Sequence, residues 1–599
     1  MTGPPQEKRI EPDDNSIPHE GTDASTFSKF LAIFTANCDD YSIITITEKQ
    51  QCQFKSSWNE IVKYLLPENS SDNSINSDVK EYTIPSSLAN KFTNDLGLDL
   101  KISLLKKDNE KQIRGCVTSI ENENSFNDWF IYHILSKTNI DRDCIDNTSV
   151  TSDSYNELFT TYFAENVKNA VQNEQWDFGG KEYFTERVKY YTDRNIPIEA
   201  VLPAFPCKSS NFDKVNGVEP DKGEELALRR IIQIIDDVKT FYPPGMKVWI
   251  ISDGHVFSDC IGVDDDVVDT YTMRLHELYK SLSVGKENYI QFYGLNEIFF
   301  GDAKTIQYFN KEWTKDVEIC HLTGSKINAK ADLSREVLMK GCDTDDGRLK
   351  KHINTDGHAR LYLYRGFSKF MSEDLQLQPL FQAMSKKKFK KTVSKVAFNM
   401  IKRNDAYSNL VELMFPHHLR FSIHAHNNAG PKYGIKVISR EQCAIVKDLK
   451  NPEEPIFEDL LHIPTPWHNC IVSFEGNIKD LDSDEDNTEL QLLKETSKLS
   501  VSSSSSDNLN SNEYNSSAST STVSTIYSNK SGSQLSSDLI TPLSSQSSNQ
   551  STFKQQPLYY LTRSREVKDA IEKGLYDGEW RETSFEDGIG GYYILRKRY

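Results

Sequence analysis

Residues 201–262 read VLPAFPCKSSNFDKVNGVEPDKGEELALRRIIQIIDDVKTFYPPGMKVWIISDGHVFSDCIG, and no other stretch of the chain constrains the architecture as strongly. The apolar run from Ile198 to Phe205 has the length and content of a buried strand and gives way to a polar loop. Leu226, Leu228, Ile231, Ile232, Ile234, Ile235 and Val238 then recur at helical spacing. Tyr242-Pro243-Pro244-Gly245 stops that helix, because proline lacks the amide donor and glycine favours a turn, and a second apolar run follows from Lys247 to Ile251. The predicted unit is β-loop-α-β. Its strands lie parallel with a right-handed crossover, and ligands of such sheets gather beyond the carboxyl ends of the strands.

Working outward, Asp264 is placed to cap a helix through Val267, Val268, Tyr271, Met273, Leu275 and Leu278, and a third strand follows near Tyr289 to Phe292. The β-α-β-α-β alternation predicts an α/β fold with a Rossmann-like, mostly parallel sheet. The sequence has no GxGxxG, which argues against the usual dinucleotide fold, and no GxxxxGK[ST] or GxSxG motif.

Both polar loops fall at the carboxyl edge of this sheet. The first carries Lys208, Ser209, Ser210, Asn211, Asp213 and Lys214; the second carries Ser252, Asp253, Gly254, His255, Ser258 and Asp259. Loops are polar in any case, but two of them bring cations, carboxylates and an imidazole to one edge. Farther on, 418–426 reads HLRFSIHAH; on a strand, Leu419, Phe421, Ile423 and Ala425 share one face and Arg420, Ser422, His424 and His426 the other. That polar face fits metal ligation, metal-free acid/base work or plain surface, and spacing alone leaves the three open. Lys432 lies between two turn-prone glycines, and TPWHN (465–469) brings Trp467 and His468 to the entry of a strand. The run KKKFKK (386–391), on an acidic chain without interleaved aromatic platforms, reads as one solvated helix face rather than a nucleic-acid site.

At 599 residues the chain is long enough for two or three units. The expected division is a disordered tail at 1–25, an α+β appendage at 26–150 in which FSKFLAIFTANC reads as helix, and an α/β core at 151–480 that carries the polar loops. A disordered Ser-rich insertion follows at 481–556, and a C-terminal segment at 557–599 packs back onto the core. Lys and Arg number 70 against 88 Asp and Glu, which disfavours nucleic acid or an anionic membrane as partner. The ten cysteines form no CxxC pair, and no window reaches the roughly 20 apolar residues of a spanning helix. The polar first two dozen residues lack a signal-peptide core, so a cytoplasmic protein with reduced thiols is expected.

PAFPCKSSN, PDKGEELAL, YPPG and SDGHVFSD, followed in order by YRGFSKF, FPHHLRFSIHAH, PKYGI and TPWHN, resemble the pyoverdine/dityrosine biosynthesis family of isonitrile synthases and their fungal relatives. The likeness spans roughly 155–475 and is strongest to the fungal spore-wall branch. One position departs: some bacterial members carry arginine where this chain has His255.

The resemblance implies an enzyme that modifies the amino group of tyrosine, with ribulose 5-phosphate as one-carbon donor and an N-formyl or isonitrile product. It implies a downstream cytochrome P450 as pathway partner, and no cofactor or metal. Such chemistry needs cations for a phosphate and a carboxylate and an acid/base set. Lys208, Lys214, Arg420 and Lys432 are the cation candidates, with Ser209, Asn211, Arg365 and His468 as further substrate contacts. Asp253, His255, Asp259 and His424 are the acid/base candidates. A metal-dependent oxygenase or hydrolase using His424 and His426, and a non-catalytic small-molecule-binding protein, stay open beside this reading.

Overall fold

The computed structural model describes residues 125–139, 153–343, 346–439, 442–446, 449–450, 465–475 and 558–598, together with five strands nearer the N-terminus. The expected tail at 1–25 and the whole Ser-rich insertion at 481–556 lie outside the described residues. The five strands are β1 (Ala32–Thr35), β2 (Tyr41–Ile43), β3 (Lys80–Thr83), β4 (Leu100–Lys106) and β5 (Ile113–Ser119), in the order β2-β1-β5-β4-β3 with antiparallel pairs. The helix expected in FSKFLAIFTANC is thus a strand at residues 32–35. Ile, Phe and Thr suit a pleated surface, and pairing of β1 with β5 overrides the local apolar period.

Helix α1 (Ser125–Lys137), which falls within the expected appendage, contacts β4 and β5 and also packs on the core. It buries Phe126, Phe130, Ile134 and Leu135 in one cluster with Val201, Ile251 and Leu410. The core continues through α2 (Asp153–Tyr162), β6 (Lys168–Asn169), α3 (Lys181–Thr192), β7 (Ile198–Pro203), α4 (Lys222–Phe241), β8 (Met246–Ser252), α5 (Gly254–Ile261), α6 (Asp265–Leu282) and β9 (Ile290–Gly294). It closes with α7 (Leu295–Phe300), α8 (Ala329–Cys342), α9 (Ala359–Leu375), α10 (Lys386–Met414), β10 (Leu419–Ser422) and β11 (Lys432–Ile435).

The central sheet has the order β6-β11-β10-β7-β8-β9, all neighbours parallel except the edge pair β6–β11. Counted along the chain, its five parallel strands run 3-2-1-4-5. Both faces are covered, as a parallel sheet requires. On β7, Ile198, Ala200 and Leu202 pack into the cluster with Ile231, Ile235, Tyr271 and Leu275 of α4 and α6, while Val201 faces α1 and α10. The α4 start is fixed by a capping box: Asp221 accepts from the Gly223 amide at 2.8 Å and Glu224 from the Asp221 amide at 2.9 Å. Asp264 stands at the N-cap of α6 as expected, but its carboxylate accepts from the Lys326 amide instead of its own helix.

A third sheet is built from β12 (Cys443–Ile445), β13 (Cys470–Phe474), β14 (Tyr559–Thr562), β15 (Tyr576–Arg581) and β16 (Tyr592–Lys597), ordered β12-β14-β13-β16-β15. The C-terminal residues therefore pair with 443–445 and 470–474 in a sheet of their own. It docks on the start of α4, where the Lys222 amide donates to the Gly591 carbonyl at 2.9 Å and the Gly590 amide to Glu225 at 2.7 Å. A Cβ on Gly590 would stand 2.4 Å from the Asp221 and Lys222 backbone, so glycine is required for that approach. Because β13 and β14 are antiparallel neighbours, with Cys470 opposite Thr562 and Val472 opposite Tyr560, the chain leaves at Glu475 and returns at Leu558 on the same end of the sheet.

Candidate functional site

Asp253 follows directly on β8, at the carboxyl edge of the parallel sheet. Its Oδ1 is enclosed and has no hydrogen-bond partner among the described residues. Burial pushes this carboxyl up to about 6, against the pull of its own backbone amide. Its charge is felt by two neighbours. The Cys207 thiol is raised by burial and then by Asp253, and the Tyr407 hydroxyl, which donates to the Ile251 carbonyl at 2.9 Å, is raised by burial and then by Asp253 while Arg420 opposes.

Arg420, on the α10 face of β10, donates through Nη1 to Glu412 and through Nη2 to Ser408, both at 2.6 Å. Its Nε is enclosed without a partner among the described residues. The same neighbourhood holds His426, which burial and the charges of Lys432, His424 and Arg420 keep neutral by lowering it to about 3. Arg360 of α9 pairs with Asp405 of α10 at 2.7 Å, and Lys432 also acts on Asp405. The cluster thus joins Asp253, Tyr407, Arg420, His424, His426, Lys432, Asp405 and Arg360. The strand expected through His426 ends at Ser422; the chain bends at His424, and His426 makes a single bridge to Ala170.

Other expected site residues are engaged elsewhere. Lys208 is buried, with Nζ 2.8 Å from Asp221, 2.7 Å from Glu224 and 3.0 Å from the Pro466 carbonyl. All three ammonium protons are engaged, so Lys208 joins the first loop to α4 and to TPWHN and offers no donor to a substrate anion. Lys214 pairs with buried Asp374 of α9, which also accepts from Ser209 at 3.2 Å, and Asn211 donates to the Glu373 carbonyl. The first loop is therefore fastened to the end of α9. His255 is engaged with α6, its Nε2 lying 3.1 Å from Asp269. Arg365 is exposed, and His468 sits edge-on to Phe370 at 5.1 Å.

Asp259 is likewise internal. Its carboxylate takes a bidentate pair from Arg403, a 2.9 Å contact with His321 and a 3.5 Å contact with Arg335. Burial alone would raise it, but the His321 hydrogen bond and the Arg403 charge hold it below the usual carboxylate range. Among the described residues, no three His, Cys, Asp or Glu side chains converge as a metal set.

Sequence reasoning missed Arg360, Asp405, Tyr407, Arg335, Arg403 and His321. The available signal was in α10, where Arg403, Asp405, Ser408 and Asn409 break an apolar period at buried positions. Polar residues at core spacing mark a buried network.

A family profile described as the pyoverdine/dityrosine biosynthesis protein matches residues 188–491. The spore wall maturation protein DIT1 of Saccharomyces cerevisiae is 49% identical over 587 residues, covering 98% of this chain and 94% of that protein. The L-tryptophan isonitrile synthase AmbI2 of Fischerella ambigua is 30% identical over 291 residues (49% of this chain, 72% of that one). The L-tyrosine isonitrile synthase of Xenorhabdus nematophila is 29% identical over 299 residues (50% and 75%). The profile covers the β7, β8 and β10 segments that assemble the Asp253–Arg420 cluster, and the yeast protein matches nearly end to end: the chain belongs to the pyoverdine/dityrosine biosynthesis family.

Proposed function

We propose that this chain is a cytoplasmic biosynthetic enzyme that modifies the amino group of tyrosine, an early step toward the dityrosine of a fungal spore wall. The product is N-formyl-tyrosine or the tyrosine isonitrile, its one-carbon unit comes from ribulose 5-phosphate, and a cytochrome P450 acts downstream. The names of the yeast spore-wall relative and of the tyrosine isonitrile synthase support the pathway and the amino acid. The strand order 3-2-1-4-5 supports the Rossmann-like reading of the core and a ligand at its carboxyl edge.

One observation carries the site assignment. Asp253 Oδ1 and Arg420 Nε are enclosed polar atoms of opposite charge, each without a partner among the described residues, and the same tyrosine, Tyr407, feels both groups. Buried polar atoms left open in a folded protein call for an occupant. A zwitterionic amino acid together with a phosphate ester supplies one: Arg420, Lys432 and Arg360 face the anionic groups, and Asp253 faces the amine. With a pKa of about 6, Asp253 is mostly ionised at neutral pH and accepts a proton from the amine or from the carbon acid of an imine, the pairing an acid/base catalyst needs. His424 and neutral His426 complete the polar wall. The same cations oppose a metal ion at His426, so the metal-dependent reading finds no support in the electrostatics.

Mass spectrometry of the purified chain incubated with tyrosine and ribulose 5-phosphate tests the proposal. A formyl or isonitrile derivative of tyrosine is the expected product. Folded protein that binds both compounds without turnover would favour the non-catalytic reading.

A further inference from the structure

The acidic balance of the whole chain hides a local exception. The first ten residues of α10 contain six lysines, Lys386, Lys387, Lys388, Lys390, Lys391 and Lys395, all exposed and none in an ion pair among the described residues. No carboxylate occurs on α10 before Asp405. This distribution works against the helix itself, because lysines at the positive pole of the backbone dipole destabilise it, and the first turns of α4 and α6 carry Glu or Asp instead. Helix stability therefore does not account for the run.

Two further features limit what the patch fits. Every cation in it is lysine. Arginine is the residue that grips a discrete phosphate or carboxylate through a planar fork, whereas lysine is a hydrated point charge suited to a diffuse anionic field. The segment that leads into the lysines also carries exposed apolar side chains. Phe381 and Phe389 meet edge to face at 5.8 Å, fixing the segment before α10 against its first turn, and that segment presents Leu377 and Leu380 at 40% and 45% exposure. A nucleic acid offers nothing to two exposed leucines; a phospholipid bilayer offers acyl chains to the leucines and headgroup charge to the lysines.

We propose that the Lys386–Lys395 face of α10, with Leu377 and Leu380, docks this protein peripherally on an anionic phospholipid surface. The patch is separate from the Asp253–Arg420 cluster, so the inference does not depend on the proposed reaction.

Co-sedimentation of the full chain with vesicles of phosphatidylcholine alone, and of phosphatidylcholine with phosphatidylserine, tests it. The expected result is binding to the phosphatidylserine vesicles only, weakening steeply as salt rises. The triple variant Lys387→Glu, Lys388→Glu, Lys391→Glu should lose that binding by about tenfold or more, with its circular dichroism spectrum and turnover unchanged. The double variant Leu377→Ser, Leu380→Ser should weaken it several-fold while keeping the salt dependence. Equal binding to both vesicle types, no binding to either, or undiminished binding of the triple variant would overturn the proposal. So would binding of single-stranded RNA that competes with the vesicles and is unaffected by the leucine changes.

Discussion

Asp253 and Asp259 stand six residues apart in one motif, SDGHVFSD, and the fold treats them in opposite ways. Asp259 is enclosed by Arg403, Arg335 and His321, and its carboxyl is held below the usual range. Asp253 is enclosed with one oxygen facing no donor, and its carboxyl is raised to about 6. The turn of α5 that separates them leaves one at the proposed site and sets the other into a lock between α5, α8 and α10. Residue type and motif membership therefore do not distinguish a reactive carboxylate from a structural one; its partners do.

The largest effect expected from this contrast is on turnover. Asp253→Asn should slow it by about 100-fold or more, the scale of a lost acid/base group, and should also raise the melting temperature, because a costly buried charge is gone. Asp259→Asn should do the reverse. Unpairing buried Arg403 should cost about 3–5 kcal/mol in denaturant unfolding, while the folded fraction keeps its rate. If Asp259→Asn abolished turnover in well-folded protein, the contrast would break.

Lys208 extends the comparison to the first loop. Its removal leaves Asp221 and Glu224 buried without their cation, so Lys208→Met should destabilise the protein by about 3–5 kcal/mol. Protein that folds at low temperature should retain its affinity for the sugar phosphate. A selective rise in sugar-phosphate KM with unchanged stability would restore Lys208 as a binding residue.

The same electrostatics set the pH behaviour. Asp253 has its folded pKa raised above the unfolded value near 3.8, so its burial weakens the fold as pH rises through about 4 to 6. Asp259 is depressed, so its stabilisation is present above the unfolded value and is lost as pH falls through the folded one. His321 is raised from 6.5 to about 9, chiefly by its hydrogen bonds to Asp259 and Asp332, so its contribution is full below 6.5 and is lost as pH rises through about 9. Thermal melts should show a decline between pH 7 and 10 that His321→Asn flattens.

The smallest effect should come from the segment between β13 and β14. Because those strands are hairpin neighbours, replacing 476–557 with a short turn should leave turnover within about twofold and the melt nearly unchanged. Loss of soluble protein would show that the replaced residues support the third sheet.

The central sheet was legible because its signals are local: β-branched runs, a helical period of isoleucines, and a Pro-Pro-Gly stop. The edge at which Asp253 lies followed from strand polarity alone. What each polar side chain does there was not legible, because partners come from far away in sequence. Lys208 meets Pro466, Asp259 meets Arg403, and Lys214 meets Asp374. A motif lists residue types, and it does not show that Lys214 meets a carboxylate 160 residues away, or that Lys208 is held by a carbonyl 258 residues away as well as by Asp221 and Glu224. The strand at 32–35 was misread for the same reason, its partner lying at 114–117.

The most direct test of the account is an infrared titration of the carboxyl groups, taken as the difference between the wild-type protein and Asp253→Asn, with and without tyrosine. The account predicts that the Asp253 band titrates near 6 and shifts when tyrosine binds, while the corresponding Asp259→Asn difference shows a carboxylate ionised across the whole accessible range and indifferent to tyrosine. An Asp253 band that titrates near the ordinary value of about 3.8 and does not respond to tyrosine would contradict it.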